Sequence, residues 1–146
     1  MEQGDTFIVT HTFTRQDTQI FADITRDYNP IHFNDRFVKT KGLDGRICHG
    51  LLVAGMLTEI GGQIGWLASG MDLRFIKPVY FGDTVTCRFE VARIDGDNRA
   101  VASIVMTNQH GLAVLEAELT GLVPGKTEQR ILRDLLDPPP DGSTRG

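Results

Sequence analysis

The sequence predicts an α+β fold in which one antiparallel sheet wraps a single apolar helix. Three observations predict it. In the stretch His49–Ile64, apolar residues cover nearly the whole helical circumference, the mark of a buried helix. From Gly70 onward the apolar period changes from helical to two, through four strand-like segments in succession. Tight turns join those segments, which makes the sheet mostly antiparallel, and nothing else in the chain is available to bury the helix.

Each element has its own reason. Phe7–Phe13 is β-branched and aromatic, with Phe7, Val9 and Phe13 on one face, and reads as a strand. Thr14 then serves as an N-cap, with Asp17 three residues on completing an imperfect capping box. Ile20, Phe21 and Ile24 follow at helical spacing, and the helix stops near Tyr28-Asn29-Pro30, because a residue before proline avoids the α region. Residues 28–48 are irregular apart from a short helix at Asp35–Lys39. An irregular segment of that length in a small domain is often functional.

In the buried helix, Gly55 costs roughly 1 kcal/mol against alanine, so a close backbone approach is its expected justification. Gly61, Gly62 and Gly65 are expected to end that helix. Met71, Leu73 and Phe75 then alternate with polar residues, as do Val85, Cys87, Phe89 and Val91. Asp95–Asn98 reads as a hairpin turn, and Ala100–Thr107 and Leu112–Val123 as the last two strands. The expected domain runs over residues 1–123. Residues 124–146 form an extension, with a short amphipathic helix at Glu128–Leu136 and a disordered tail over the last nine residues.

Composition narrows the function. The 146 residues carry a net charge of −4, which leaves no basic footprint for nucleic acid or for an anionic membrane. No apolar run approaches the ~20 residues of a membrane helix. Met1-Glu2-Gln3-Gly4-Asp5 does not resemble a secretory leader, so a cytoplasmic location is expected. Two cysteines are too few for a disulfide scaffold. Half of the sixteen glycines fall between Gly42 and Gly70.

The densest polar cluster is Thr25-Arg-Asp27-Tyr-Asn29-Pro-Ile-His32. A carboxylate and an imidazole five residues apart, across a bend held by Asn29 and Pro30, can converge on one water molecule. The same residue types also punctuate ordinary turns, and spacing alone leaves both readings open. His49-Gly50 opens the apolar helix, where free N–H groups and the helix dipole favour negative charge. That is what an oxyanion site needs; an ordinary helix start has the same sequence. Thr58 either touches a ligand or bonds back to a carbonyl one turn earlier. No metal site is expected, because His32 and His49 are 17 residues apart and the cysteines have no paired spacing. No phosphate loop or serine nucleophile elbow is present.

Phe21-Ala-Asp-Ile-Thr-Arg-Asp-Tyr-Asn-Pro-Ile-His32, Ile47-Cys-His-Gly-Leu-Leu52, Leu73-Arg-Phe-Ile-Lys-Pro-Val79 and Phe81-Gly-Asp83 together resemble the MaoC-like family of (R)-specific enoyl-CoA hydratases. The resemblance spans about residues 7–123. It implies a single hot-dog domain, a homodimer or higher homo-oligomer, and an acyl-CoA substrate bound between protomers with no further cofactor. By position it implies Asp27 and His32 as the catalytic pair and Gly50 as the amide that polarises the thioester carbonyl. Asn29, His49, Thr58 and Lys77 are the expected substrate-binding residues; Lys39, Lys41 and Lys77 either meet CoA phosphates at the groove mouth or are ordinary solvated surface lysines. Thr58 stands where many members carry serine. Arg26 stands where small or acidic residues are commoner, and it is expected to face solvent. The expected reaction is reversible syn addition of water to a trans-2-enoyl-CoA. A hot-dog thioesterase and a non-catalytic acyl-CoA-binding subunit are the alternatives.

Overall fold

The computed structural model describes residues 1–137; the disordered tail expected over residues 138–146 lies outside them. Strand β1 (Thr6–Thr12) leads into helix α1 (Arg15–Thr25), then a single 3-10 turn at Pro30–His32 and helix α2 (Asp35–Thr40). The apolar helix follows in two pieces, α3 (Gly50–Ala54) and α4 (Met56–Ile64). Strands β2 (Leu67–Phe75), β3 (Thr84–Ile94), β4 (Arg99–Thr107) and β5 (Ala113–Leu122) and helix α5 (Lys126–Leu136) complete the described residues.

All five strands form one antiparallel sheet in the order β1-β3-β4-β5-β2. The period-two pattern does what alternation demands. Val85, Cys87, Phe89 and Val91 of β3 are fully buried, and so are Ala102, Ile104 and Met106 of β4. Val53, Ala54, Met56, Leu57 and Ile60 meet them from the helix in one continuous core. This is the hot-dog arrangement, a sheet curled round a central helix.

The capping box at the start of α1 is complete: Asp17 N–H donates to Thr14 Oγ1 at 3.2 Å, and Thr14 N–H to Asp17 Oδ2 at 2.9 Å. Other expectations need correction. α1 ends at Thr25, ahead of the Tyr28–Pro30 stop, because Arg26 takes the left-handed conformation (φ 60°) and donates its N–H to Ala22 O. Of its expected apolar stripe, Ile20 and Ile24 face outward, while Thr18 and Ala22 are buried. The central helix tightens at Gly55, and no second element approaches there. The nearest atoms to a β-carbon built on Gly55 are carbonyl atoms of the preceding turn, Leu52 O at 3.0 Å first.

Gly61 and Gly62 sit inside α4, and only Gly65 (φ 72°) ends it. A β-carbon on Gly65 would lie 2.6 Å from Leu132 Cδ1, so Leu132 seats α5 on the end of the central helix. The rest of the apolar face of α5, Ile131, Leu135 and Leu136, is exposed. Burial all round the central helix does not hold either, since Leu51 is exposed and Leu52 and Ile64 are half-buried. Nor is β2 buried on one face: it is an edge strand whose Leu67, Met71 and Phe75 are all exposed.

Candidate active site

The left-handed turn at Arg26 swings the chain off α1 and presents Asp27. A non-glycine residue there costs on the order of 1 kcal/mol. The Asp27 carboxylate then divides its oxygens. Oδ1 accepts the Asn29 N–H at 3.1 Å, closing the turn, and this leaves Oδ2 for the cleft. Asn29 Oδ1 accepts the Ile31 N–H at 3.1 Å and caps the turn that Pro30 opens. Asn29 is exposed and lies outside the cleft lining, so it shapes the bend and is not placed to touch a substrate.

His32 ends that turn and is buried. Its Nδ1 lies 2.7 Å from Ile47 O, and a carbonyl can only accept, so Nδ1 carries the proton and Nε2 carries the lone pair. The Ile47 carbonyl is itself anchored by an antiparallel bridge from Ile47 to Tyr80, while Cys48 N–H donates to Val79 O at 2.8 Å. The loop after β2 therefore sets the imidazole's position. Nε2 faces Asp27 Oδ2 across 4.0 Å, too far for a direct hydrogen bond. Burial lowers the His32 pKa from its ordinary value, against the opposing effect of the Ile47 carbonyl, and keeps the ring neutral.

His49 lines the cleft and also holds the pair. It is only 2% exposed, stacks on His32 with ring centroids 3.7 Å apart and planes 26° from parallel, and packs against the Phe21 ring at 4.9 Å. Its Nε2–H donates to the backbone carbonyl of Asp27 at 2.9 Å. One imidazole thus grips both members of the pair, Asp27 by its main chain and His32 by its ring face. Among the described residues its Nδ1 is buried without a protein partner.

Donor atoms of Asp27, His32 and His49 lie within 4.8 Å of one another, so the fold overrides the 17-residue spacing on which the expectation of no metal rested. The donor chemistry still argues against a cation. His49 Nε2 and His32 Nδ1 are committed as N–H donors to carbonyls. Asp27 Oδ2 and His32 Nε2 offer lone pairs to the gap between them, while the His49 lone pair sits on its buried Nδ1 and not on Nε2, the nitrogen 3.9 Å from Asp27 Oδ2, so the two facing lone pairs fall short of the ligand set a zinc site uses.

These groups line one end of a cleft of about 550 Å³. Its walls are largely apolar, from Phe21, Leu43, Ile47, Val53, Phe75, Ile76, Val79, Val114 and Leu115, with Thr25 and Lys77 among the polar exceptions. Gly50 lies in the wall at the first position of α3, where a helix leaves its N–H groups free. Its need for glycine is one of space: a β-carbon there would lie 2.6 Å from Phe75 Cε1.

Of the residues expected to bind substrate, His49 and Lys77 line the cleft. Thr58 does not: it is exposed, and its hydroxyl donates back to Gly55 O at 2.6 Å, the structural option of the two open from sequence. Arg26 is exposed and outside the lining, as expected, and Lys39 and Lys41 are outside it too. Sequence reasoning missed Phe21 and Phe75. An aromatic residue gives no signal that distinguishes a cleft wall from a core position.

A carboxylate and a neutral imidazole thus face one another beside the central helix of a hot-dog fold. Comparison with known proteins gives the family. The model of the MaoC-like domain matches residues 2–113, and the chain belongs to that family. An (R)-specific enoyl-CoA hydratase of Rhodospirillum rubrum is 29% identical over 130 residues, covering 86% of this chain and 90% of the relative. A 3-hydroxybutyryl-CoA dehydratase of Methylorubrum extorquens is 32% identical over 132 residues, covering 88% and 84%. Among solved structures, the (R)-hydratase from A. caviae involved in PHA biosynthesis superposes with a TM-score of 0.79 at 28% identity, covering 85% of this chain and 98% of that one.

Proposed function

We propose that the chain is an (R)-specific enoyl-CoA hydratase, equally a 3-hydroxyacyl-CoA dehydratase, adding water reversibly and syn to a trans-2-enoyl-CoA. One observation carries the reading: Asp27 Oδ2 and His32 Nε2, both proton acceptors, face each other 4.0 Å apart on the wall of a largely apolar cleft. A water oxygen about 2.8 Å from each atom spans that gap. Donating a proton to each, it keeps its lone pairs free to attack C3 of the enoyl thioester.

As the new C–O bond forms, the pair takes one proton from the water, and electron density moves through C2 onto the thioester oxygen. The Gly50 N–H and the start of the helix stabilise that charge. The pair then returns a proton to C2 on the same face, so that H and OH of one water are accounted for. The two transfers are assigned to the pair as a whole. The addition is redox-neutral, so no redox cofactor is required. Phe21 and His49 act behind the pair as positioning residues, and Lys77 is the cation placed for an anionic group of the carrier.

Loss of crotonyl-CoA enone absorbance without release of free thiol is the expected result. Thiol release at the rate of absorbance loss would point to a thioesterase using the same carbonyl site. No absorbance change with retained acyl-CoA binding would point to a non-catalytic binding subunit.

The working form is proposed to be a cytoplasmic homodimer. Among the described residues the outer edge of β2 has no strand partner, and its Leu67 and Met71, with Leu51 of α3, leave apolar surface for a second copy to cover. No helix among the described residues is long and apolar enough to cross a membrane.

The pH dependence follows from His32. Its neutral form accepts the water proton, and burial holds its pKa below 6.5. Activity is therefore complete above that range and lost as pH falls through the lowered value. The acid limb of kcat/KM for crotonyl-CoA is expected below pH 6.5; an acid limb above it would contradict the assigned state of His32.

A further inference from the structure

Gly50 and Phe75 meet in the lining of the cleft, one from the start of α3 and the other from the last position of β2. A β-carbon at Gly50 would meet three consecutive atoms of one ring edge, Cδ1 at 2.9 Å, Cε1 at 2.6 Å and Cζ at 3.0 Å. That edge therefore lies against the Gly50 main chain, beside the N–H assigned to the thioester oxygen. Phe75 is nonetheless 57% exposed, a large aromatic surface left open in the wall of the cleft. Bound acyl thioester would cover it.

The carbonyl carbon held at Gly50 carries two substituents, sulfur and C2. Sulfur leads to the same carrier in every acyl-CoA, so a wall beside that carbon can discriminate between substrates only through what C2 bears. A hydrogen at C2 leaves room for the ring. A methyl group there adds a carbon at the point where the cleft wall is a ring edge backed by the Gly50 main chain.

We propose that Phe75 is a specificity-determining residue that excludes α-branched acyl groups, restricting the enzyme to thioesters unsubstituted at C2. This rests on the proposed placement of the thioester at Gly50. One methyl group in an apolar pocket is worth roughly 10–200-fold in discrimination, and steric exclusion by a ring belongs in that range.

Butyryl-CoA and isobutyryl-CoA test it by calorimetric binding, since they are isomers that differ in branching at C2 and neither is hydrated. The wild-type protein is expected to favour butyryl-CoA by about tenfold or more. In Phe75→Ala that preference should fall to about threefold or less, with Phe75→Leu between. The ring is more exposed than buried and stands outside the core cluster, and the β2 pairing with Leu115 is made by main chain, so both variants should keep the wild-type fold. Phe75→Leu decides alone if the alanine variant fails to fold.

Equal binding of the isomers by the wild type, a preference that survives unchanged in the variants, or binding of neither thioester would overturn the proposal. Hydration of crotonyl-CoA and its isomer methacrylyl-CoA supplies the second arm. A binding preference that collapses in the variants, in a protein that hydrates neither compound, would uphold the wall and remove the hydratase assignment. Normal crotonyl-CoA hydration with unchanged isomer selectivity in the variants would do the reverse.

Discussion

Replacing Asp27 by asparagine is expected to lower crotonyl-CoA hydration by on the order of 10²-fold or more, the scale of a lost general acid–base group, while leaving the fold intact. The two consequences separate because the carboxylate has two jobs on two atoms. Asparagine keeps a carbonyl oxygen that can accept the Asn29 N–H, so the turn survives. It places an amide N–H₂, a donor, where Oδ2 accepted, and the water between residue 27 and His32 loses one of its two acceptors. The side chain is half exposed, so the swap buries nothing new. Initial rates with crotonyl-CoA, read beside the thermal melt, check both halves. Turnover within about threefold of wild type would remove Asp27 from the acid–base pair, since that is far below the 10² expected of such a group.

His49→Phe should have the next largest effect. Phenylalanine can preserve a ring against His32 and Phe21 but has no N–H for the Asp27 carbonyl, which now accepts from His49 at 2.9 Å. The main chain of Asp27 is then free to shift, and a displacement of about 1 Å at a reacting group can cost on the order of 10²-fold in rate. The loss should fall on kcat with KM nearly unchanged, because His49 holds the pair and is not assigned to grip the substrate. A second readout separates positioning from simple damage. The neighbouring His49 contributes to the lowered pKa of His32, so removing it should move the acid limb of the pH profile upward, toward the ordinary histidine range. A rise in KM with kcat preserved would return His49 to the substrate-binding role expected from sequence.

The reach of the sequence is clearest where a pattern depends on one chain alone. Val85, Cys87, Phe89 and Val91 alternate because their strand has one face on the core, and they are fully buried. Thr14 and Asp17 satisfy each other within one turn, so the capping box was legible from spacing. Spacing carried Asp27 and His32 only as far as a possible pair, and the resemblance to the MaoC-like family supplied their expected roles; the structure sets Oδ2 and Nε2 4.0 Å apart.

What stayed hidden depends on partners distant in sequence or on which apolar face is covered. The stacking of His49 on His32 is made by a loop that Tyr80 and Val79 pin from the other side of the chain. Ile20, Ile24, Leu51 and Met71 are apolar in sequence and exposed in the protomer, because period reports that a face is oily and not what lies against it. Thr58 had two open readings, and its distance to Gly55 O decided between them.

The divided carboxylate of Asp27 has a consequence for the timing of an entropic cost. Immobilising a side chain costs about 0.5–1.5 kcal/mol in lost rotamer freedom. With Oδ1 tied to the Asn29 N–H, that loss is incurred when the chain folds and is not repeated at each turnover. The activation entropy of hydration is spared the ordering of its own base, and a longer carboxylate at position 27, unable to close the same ring with residue 29, would have to be ordered afresh in every catalytic cycle.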